Sequence, residues 1–460
     1  MAKADTHDRV LDSLVAFAAH MKGRPLSAVQ KEALVQRVID SLGCGILASV
    51  APDVTRITDS ILRLGGAPQC GILGREKSSL EHAGYLNGLM IRYLDMNDIY
   101  INRNGSHPSD LISAALAAGE LAGKSGHDVL QALATGMHVM MDFCDAADAY
   151  VRGWDHANYS GIASAIVAGM LLDLTSAEMA HAISLTVVSG NMLVGRSGRL
   201  STWKGLAGPA SVRNGLFSAV LAQASATGPE PIFEGDSGFI RRVSGPFELE
   251  LDPTRDRTGD TYLKPYAAAY HVQAPIETCL QLRAQMVDEL GDEDVTRAID
   301  SIRIDVYKKA LATTADTADK WRPDTRETAD HSLPFLAALA LSWGKFEPDS
   351  IDNALGDGEI LGLAQRVRVN VDPSFESLYP RLLPVRIVVS ARGREYVAEA
   401  SAPSGHSTRP MPASAVYEKF QSNSEKVLGP ERSRAWVERL RRLPDLSRID
   451  GLLNPTASTS

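Results

Sequence analysis

Apolar residues recur at three- and four-residue spacing through most of the first half of the chain. The segments Val29 to Val50, Leu111 to Leu121, Gly161 to Leu172 and Ala177 to Val188 are rich in Ala, Leu and Ile and punctuated by Gly and Asp. That period predicts a succession of helices from about residue 8 to residue 225. Their Ala and Gly content predicts closely approaching helices, as in a bundle. Another helix is expected after Ser201 or Thr202 as cap, with Val212, Leu216, Phe217, Val220 and Leu221 on one buried face. The chain has no repeat of fixed period, so a solenoid is not expected.

After about residue 260 the period changes to two. Ile302, Ile304 and Val306 alternate with polar residues, as do Val367, Val369 and Val371. Val385 to Val389 and Tyr396 to Ala398 flank the turn Ala391-Arg-Gly-Arg394, which predicts a hairpin. Between these strands, Leu333 to Trp343 reads as a helix capped by Ser332 with Pro334 in its first turn. The fold class expected is therefore mainly α with a smaller α+β domain. From about Pro412 to Leu452 the pattern returns to amphipathic helix, able to dock on either domain, and the small polar end Asn454 to Ser460 reads as disordered.

Composition narrows the function. A chain of 460 residues is long enough for two or three domains, and its apolar and charged fractions are those of an ordinary globular protein. A formal net charge of −9 argues against a general nucleic-acid binder, because there is no broad basic excess to displace counterions from phosphates. No apolar run approaches the roughly 20 residues of a membrane span, and the N-terminus lacks a signal peptide's apolar stretch, so a cytoplasmic location is expected. Cys44, Cys70, Cys144 and Cys279 are scattered without paired ligand spacing. There is no Walker-type loop or dinucleotide fingerprint. The expectation is side-chain chemistry with no cofactor and no metal.

The charged residues supply the chemistry. Lys204 falls in the first turn of its helix, where the positive end of the helix dipole disfavours a cation. With Arg196 and Arg199 just before it, it is arranged to meet an anion, although the same stretch also fits a solvated basic loop. His107 precedes Pro108 at the start of the Leu111 to Leu121 helix, which biases its imidazole toward the neutral form. Asp95 and Asp98 lie three residues apart and share a face if their segment is helical, so that Asp95 is placed to orient His107 or a basic residue. Asp155-His156 puts a second histidine at a helix mouth. Lys264, Tyr266, Tyr270 and His271 open the second domain, and Arg326, Glu327, Asp330 and His331 lead into a helix start. Each group alone also reads as a cap, a salt bridge or interface packing. Together they describe a pocket for a small polycarboxylate, in which cations and backbone N–H groups stabilise charge formed by proton removal beside a carboxylate. That is the chemistry of a lyase.

The same stretches resemble the MmgE/PrpD family. The resemblance rests on Tyr93-Leu-Asp-Met-Asn-Asp98, Gly105-Ser-His-Pro-Ser-Asp110, Gly153-Trp-Asp-His156, Leu200-Ser-Thr-Trp-Lys-Gly205 with Arg213-Asn-Gly215, Gly228-Pro-Glu-Pro-Ile-Phe-Glu-Gly235, Tyr270-His-Val-Gln273 and Thr325-Arg-Glu-Thr-Ala-Asp-His-Ser332, in order from about residue 10 to 445. It implies a large helical domain from residues 1–262, completed by C-terminal helices in 411–460, with an α+β lid over 263–410, usually as a homodimer. Members include cofactor-independent 2-methylcitrate dehydratases, cis-aconitate decarboxylases and iminodisuccinate epimerases. Asp95, His107, His156, Lys204 and Lys264 match the family's active-site positions, and Arg196, Arg199, Tyr266, His271, Arg326 and His331 are expected to hold substrate.

Departures from the family pattern sort the activities. Ala269 stands where the decarboxylases carry a histidine, and the Tyr-His-x-Gln form is dehydratase-like. Asn97 and Ile99 replace the more usual Asp and Thr, and the stretch from Asp95 to His107 is two residues longer than the pattern. The leading expectation is a hydro-lyase acting on a 2-methylcitrate-like hydroxy-tricarboxylate. An epimerase of a dicarboxylate such as iminodisuccinate or a cis-aconitate decarboxylase-like carboxy-lyase comes next, and a non-catalytic carboxylate-binding scaffold is the reading from another class.

Overall fold

The computed structural model describes residues 7–195, 200–291 and 295–454. The helical expectation for the first half holds: α1 (Arg9–Met21), α2 (Ala28–Ala48), α3 (Pro52–Leu62), α4 (Leu80–Tyr93), α5 (Asp110–Leu121), α6 (Gly126–Ala146), α7 (Ala157–Leu171), α8 (Ser176–Ser189) and α9 (Trp203–Gln223). Starts are fixed by short polar side chains. Ser27, Ser125 and Thr175 each accept from the backbone three residues on, where Gln30, Asp128 and Glu178 reach back in capping boxes. Two short ribbons interrupt the helices. β1 (Cys70–Ile72) pairs with β2 (Arg75–Ser78), and β3 (Tyr100–Ile101) pairs with β4 (Gly105–Ser106). They are too short to show an alternating pattern, so the sequence hides them.

The bundle is built by close approach. Helix α9 lies against α4, α7 and α8, and the face it buries is made of Gly205, Ala207, Gly208, Pro209, Ser211, Gly215, Ser218 and Ala219 as well as Val212 and Leu216. At Gly215 an added Cβ would sit 2.6 Å from the carbonyl oxygen of Gly161, so only glycine lets α9 and α7 touch there. The expected apolar stripe is corrected: Phe217 is 43% exposed and Val220 and Leu221 are half-buried, because small residues make most of the contact with the neighbouring helices.

The second half matches the period-two reading. A four-stranded sheet runs in the order β6 (Val367–Val371), β5 (Ile299–Val306), β7 (Val385–Ala391), β8 (Arg394–Ala400). β5 is parallel to β6 and antiparallel to β7, and β7 and β8 form the expected hairpin. Arg392 and Gly393 at its turn both have positive φ, of 50° and 75°, as a tight two-residue hairpin requires. Helices α10 (Gln273–Leu290), α11 (Val295–Ala298), α12 (Lys308–Thr314), α13 (Arg326–Ala329), α14 (Leu333–Trp343), α15 (Ser350–Ala354) and α16 (Gly358–Ala364) belong to the same part, and α10, α11, α12 and α14 pack on the sheet. The Ser332 cap and Pro334 of α14 are as expected, and the helix is buried along nearly all its length. This part has its own apolar core, separate from that of the bundle. The fold is thus mainly α, with an α+β part toward the C-terminus.

The C-terminal helices α17 (Ala413–Leu428) and α18 (Pro430–Arg441) return to the bundle. Val416, Phe420, Trp436, Val437 and Leu440 join its core, with α17 along α2. Lys419 on α17 fixes the docking. Its Nζ donates to Asp40 Oδ1 on α2 at 2.6 Å, to the carbonyl of Met96 at 2.9 Å and to the carbonyl of Lys264 at 2.7 Å. Asp40 is fully buried, and burial pushes its carboxyl pKa up against the pull of Lys419. Removing one partner of such a pair strands the other, so Lys419→Met should lower unfolding stability by about 3–5 kcal/mol in urea titration. The neighbouring exposed Glu418→Ala should stay within about 0.5 kcal/mol of the wild type. Equal stabilities for the two variants would show that α17 docks by apolar contact alone.

Candidate active site

Asp95 lies at the centre. Helix α4 ends at Tyr93, and Asp95 follows with φ of +51°, a left-handed conformation that turns the chain out of the helix. The expectation that Asp95 and Asp98 share a helix face is therefore corrected: both lie beyond the helix end. Asp98 faces the other way, its Oδ1 accepting the Ser109 N–H at 2.9 Å at the start of α5.

Four cationic or imidazole groups converge on Asp95. Lys264 Nζ is 2.6 Å from Oδ1 and also donates to the Asp95 carbonyl. Arg92 NH1 is 3.5 Å from Oδ1, Lys204 Nζ is 3.4 Å from Oδ2, and His331 Nε2 is 3.9 Å from Oδ2. Burial pushes the Asp95 carboxyl upward, yet Lys264, Lys204 and Arg92 together outweigh it and hold the group well below the usual carboxylate range. Lys204 also ion-pairs with Asp330, whose other oxygen accepts from His331 Nδ1 at 2.6 Å.

The misplaced lysine of α9 thus has built-in counter-anions, Asp330 and Asp95, which offset its position at the positive end of the helix. Sequence reasoning named Asp330 only as part of a motif and left out Arg92. Spacing carried a signal for Arg92, which sits three residues before Asp95 in the last turn of α4.

A cavity of about 140 Å³ opens beside this cluster. Asp95, His107 and His156 line it from the bundle, and His271, His331 and Tyr270 line it from the second half. Lys204 and Lys264 do not; they stand behind Asp95, and Lys264 is fully buried. Tyr266 also lies off the cavity, edge-on to Phe346 at 5.5 Å, while its N–H donates to the Gln273 side chain. Arg326 pairs with Asp352 rather than Glu327 and lies over the Tyr93 ring, near Lys204 but outside the cavity. Arg196 and Arg199 fall outside the described residues.

The histidines differ in their partners. His107 Nδ1 donates to the Asp98 carbonyl at 2.6 Å, which leaves Nε2 as the acceptor of a neutral ring. Asp98, not Asp95, therefore orients His107. Burial, then Arg92 and Lys264, drive the His107 pKa well down. His156 stands 5.6 Å away, ring centre to ring centre, with Nδ1 3.2 Å from the Asp155 carboxylate. His271 Nδ1 is hydrogen-bonded to the Tyr307 hydroxyl at 2.6 Å. The Tyr270 hydroxyl is buried with no hydrogen-bond partner among the described residues, an unmet donor on the cavity wall that the sequence motif quoted without assigning a role.

Asp95, Asp330 and His331 also have the composition of a cation site, their ligand atoms lying within 4.8 Å of one another. Lys204 Nζ bridges the two carboxylates, so an ammonium already supplies the charge that such a site would take.

Burial, then Lys204, lowers the His331 pKa to about 4. The unfolded chain takes up this proton near pH 6.5, the folded chain only near 4, so acidification across that window favours unfolding. Wild-type stability should therefore fall, relative to His331→Gln, as pH drops from 6.5 to 4, by on the order of 3 kcal/mol. Parallel stability–pH curves for the two proteins, from urea titrations, would show that His331 does not titrate this way.

The MmgE/PrpD N-terminal domain matches residues 12–252 and the MmgE/PrpD C-terminal domain matches residues 266–443. A 2-methylcitrate dehydratase of Cupriavidus necator is 24% identical over 463 residues, covering 93% of this chain and 92% of its own. One from Escherichia coli O157:H7 is 25% identical over 377 residues, 74% of each chain, and the cis-aconitate decarboxylase-like protein oryM of Aspergillus oryzae is 24% identical over 425 residues, 86% of each. The chain belongs to the MmgE/PrpD family.

Proposed function

We propose that the protein is a hydro-lyase that dehydrates a 2-methylcitrate-like hydroxy-tricarboxylate without a cofactor. The observation that carries this reading is the pair of unlike histidines on one cavity wall. His107, held neutral by the Asp98 carbonyl, has its Nε2 lone pair available as a base. His156, beside the Asp155 carboxylate, has the partner that stabilises an imidazolium and suits it to be the acid. His107 removes a proton from the carbon next to a carboxylate. The C–H electrons become the new C=C bond as the C–O bond breaks, and His156 gives its proton to the departing hydroxyl, which leaves as water. Ionised Asp95 accepts the substrate hydroxyl's hydrogen bond, and Lys204, Lys264 and Arg92 act through Asp95 by keeping it charged and in place.

Two features of the wall support the substrate class. Ile99, Ile101 and Val151 give the cavity an apolar side suited to a methyl group. Ala269 also lines it and offers no proton, which fits dehydration better than decarboxylation.

A second reading, epimerisation, draws on one observation. His107 and His156 come from the bundle while His271 and His331 come from the second half, so imidazoles face the cavity from both parts, as removal and return of a proton on opposite faces requires. Proton exchange from D2O without a rise in ultraviolet absorbance would favour it over dehydration.

Chelator-treated protein should convert 2-methylcitrate or citrate to an unsaturated acid that absorbs in the ultraviolet. His107→Gln should lower kcat by about 100-fold or more, since it removes the base while keeping a polar group of similar size. Lys204→Ala should abolish activity by leaving Asp330 and Asp95 short of a counter-charge. Turnover that appears only with added iron, or that survives in His107→Gln, would refute the mechanism.

A further inference from the structure

The cations of the cluster are committed to the protein itself. Lys204 is held by Asp330 and Asp95, and Lys264 by Asp95, and neither lines the cavity. A polycarboxylate in the cavity therefore meets histidines and Asp95 at the inner end, with little free positive charge to balance its outer carboxylates.

Arg103 and Lys309 are the lysine and arginine side chains that do line the cavity, and both are exposed at its mouth. They come from opposite sides. Arg103 sits in the turn Asn102-Arg103-Asn104 at the tip of the β3–β4 ribbon, within the stretch that runs two residues longer than the family pattern. Lys309 is on α12 of the second half. Neither side chain has an ion-pair partner among the described residues. Lys309 Nζ rests 4.7 Å over the ring of Tyr150, which belongs to the bundle and also lines the cavity, so this contact spans the mouth between the two parts. A cation over an exposed ring is weakly held and gives way readily to a carboxylate. Asp148 is the one acid at this rim and accepts the Val151 N–H at 3.3 Å, while on its other side Arg103 borders a groove that also holds Asp142, Asp145, Glu248, Glu250 and Asp252.

We propose that Arg103 and Lys309 form an outer anion subsite that takes the substrate carboxylate farthest from the reacting carbon. The subsite rests on the polycarboxylate reading of the cavity, and it selects for a third carboxylate by closing around it from both parts. Lys309 exchanges the Tyr150 ring for the carboxylate when substrate enters.

Propane-1,2,3-tricarboxylate has the carboxylates of such a substrate without the hydroxyl, so its binding can be measured by calorimetry with no turnover. Arg103→Gln and Lys309→Met should each raise its Kd by about ten-fold, as loss of a charge-assisted contact does. Lys309→Arg should bind as the wild type does, and the double neutral variant should lose most of the wild type's salt dependence. Lys308→Met is the control: it removes an exposed charge one residue away that does not line the cavity, and should leave Kd unchanged. Because the mutated side chains are exposed, the melting temperatures should match the wild type. Wild-type Kd in Arg103→Gln and Lys309→Met, an equal loss in Lys308→Met, or no binding by the wild type would each overturn the subsite. If the binding pattern holds but citrates are not dehydrated, the catalytic reading fails and the subsite stands. If dehydration proceeds with KM unchanged in both variants, the subsite fails alone.

Discussion

A buried carboxylate cannot stay ionised without neighbours, and Asp95 organises the whole molecule around that requirement. Its counter-charges come from three places in the chain: Arg92 from the last turn of α4, Lys204 from the first turn of α9, and Lys264 from the segment that enters the second half, while Asp330 and His331 from the approach to α14 complete the network. Three cations face two carboxylates, Asp95 and Asp330, which leaves the group positive by one charge. Asp110, the next acid along Arg92 at 3.6 Å, is pushed by burial to a pKa of about 7 and so offsets only part of that charge. Arg92 and Lys264, together with burial, keep His107 deprotonated, and on the proposed function the same charges favour a polyanion in the cavity.

The same arrangement couples the fold to the site. Lys419, on a helix more than 150 residues beyond Lys264, donates to the carbonyls of Met96 and Lys264, the residue after Asp95 and the lysine that pairs with it. The C-terminal helices thus secure the two backbone segments that carry the central ion pair. In this chain the docking of α17 and the geometry of Asp95 are one constraint, not two.

Much of this was legible in the sequence, and the parts that were not have a common cause. Period set the helices and the sheet, Ser332 and Pro334 marked α14, and the unfavourable place of Lys204 pointed to an anion nearby. That anion proved to be Asp330 and Asp95, because a charge at the wrong end of a helix says only that compensation exists, not whether protein or ligand supplies it. His107 was expected to be neutral at a helix start, and it is. Its orienting partner is the Asp98 carbonyl, since backbone groups carry no residue signature. Phe217 was assigned to the core by spacing, but α9 buries its glycines and alanines, and close helix contact leaves no room for a large ring. Lys419 gave no local signal at all, because its partners are far away in the chain.

The proposed polycarboxylate also gives a reason for a site divided between two halves. A polyanion needs cations, but cations placed next to the reacting carbon would either be desolvated at high cost or compete for the base. Here the inner cations are paired with carboxylates and stand behind Asp95, where they set its charge without touching the cavity. The cations left over, Arg103 and Lys309, are solvated at the rim, one on each half. On the subsite proposed above, a carboxylate bridging them would let binding energy from a remote group hold the reacting one in place.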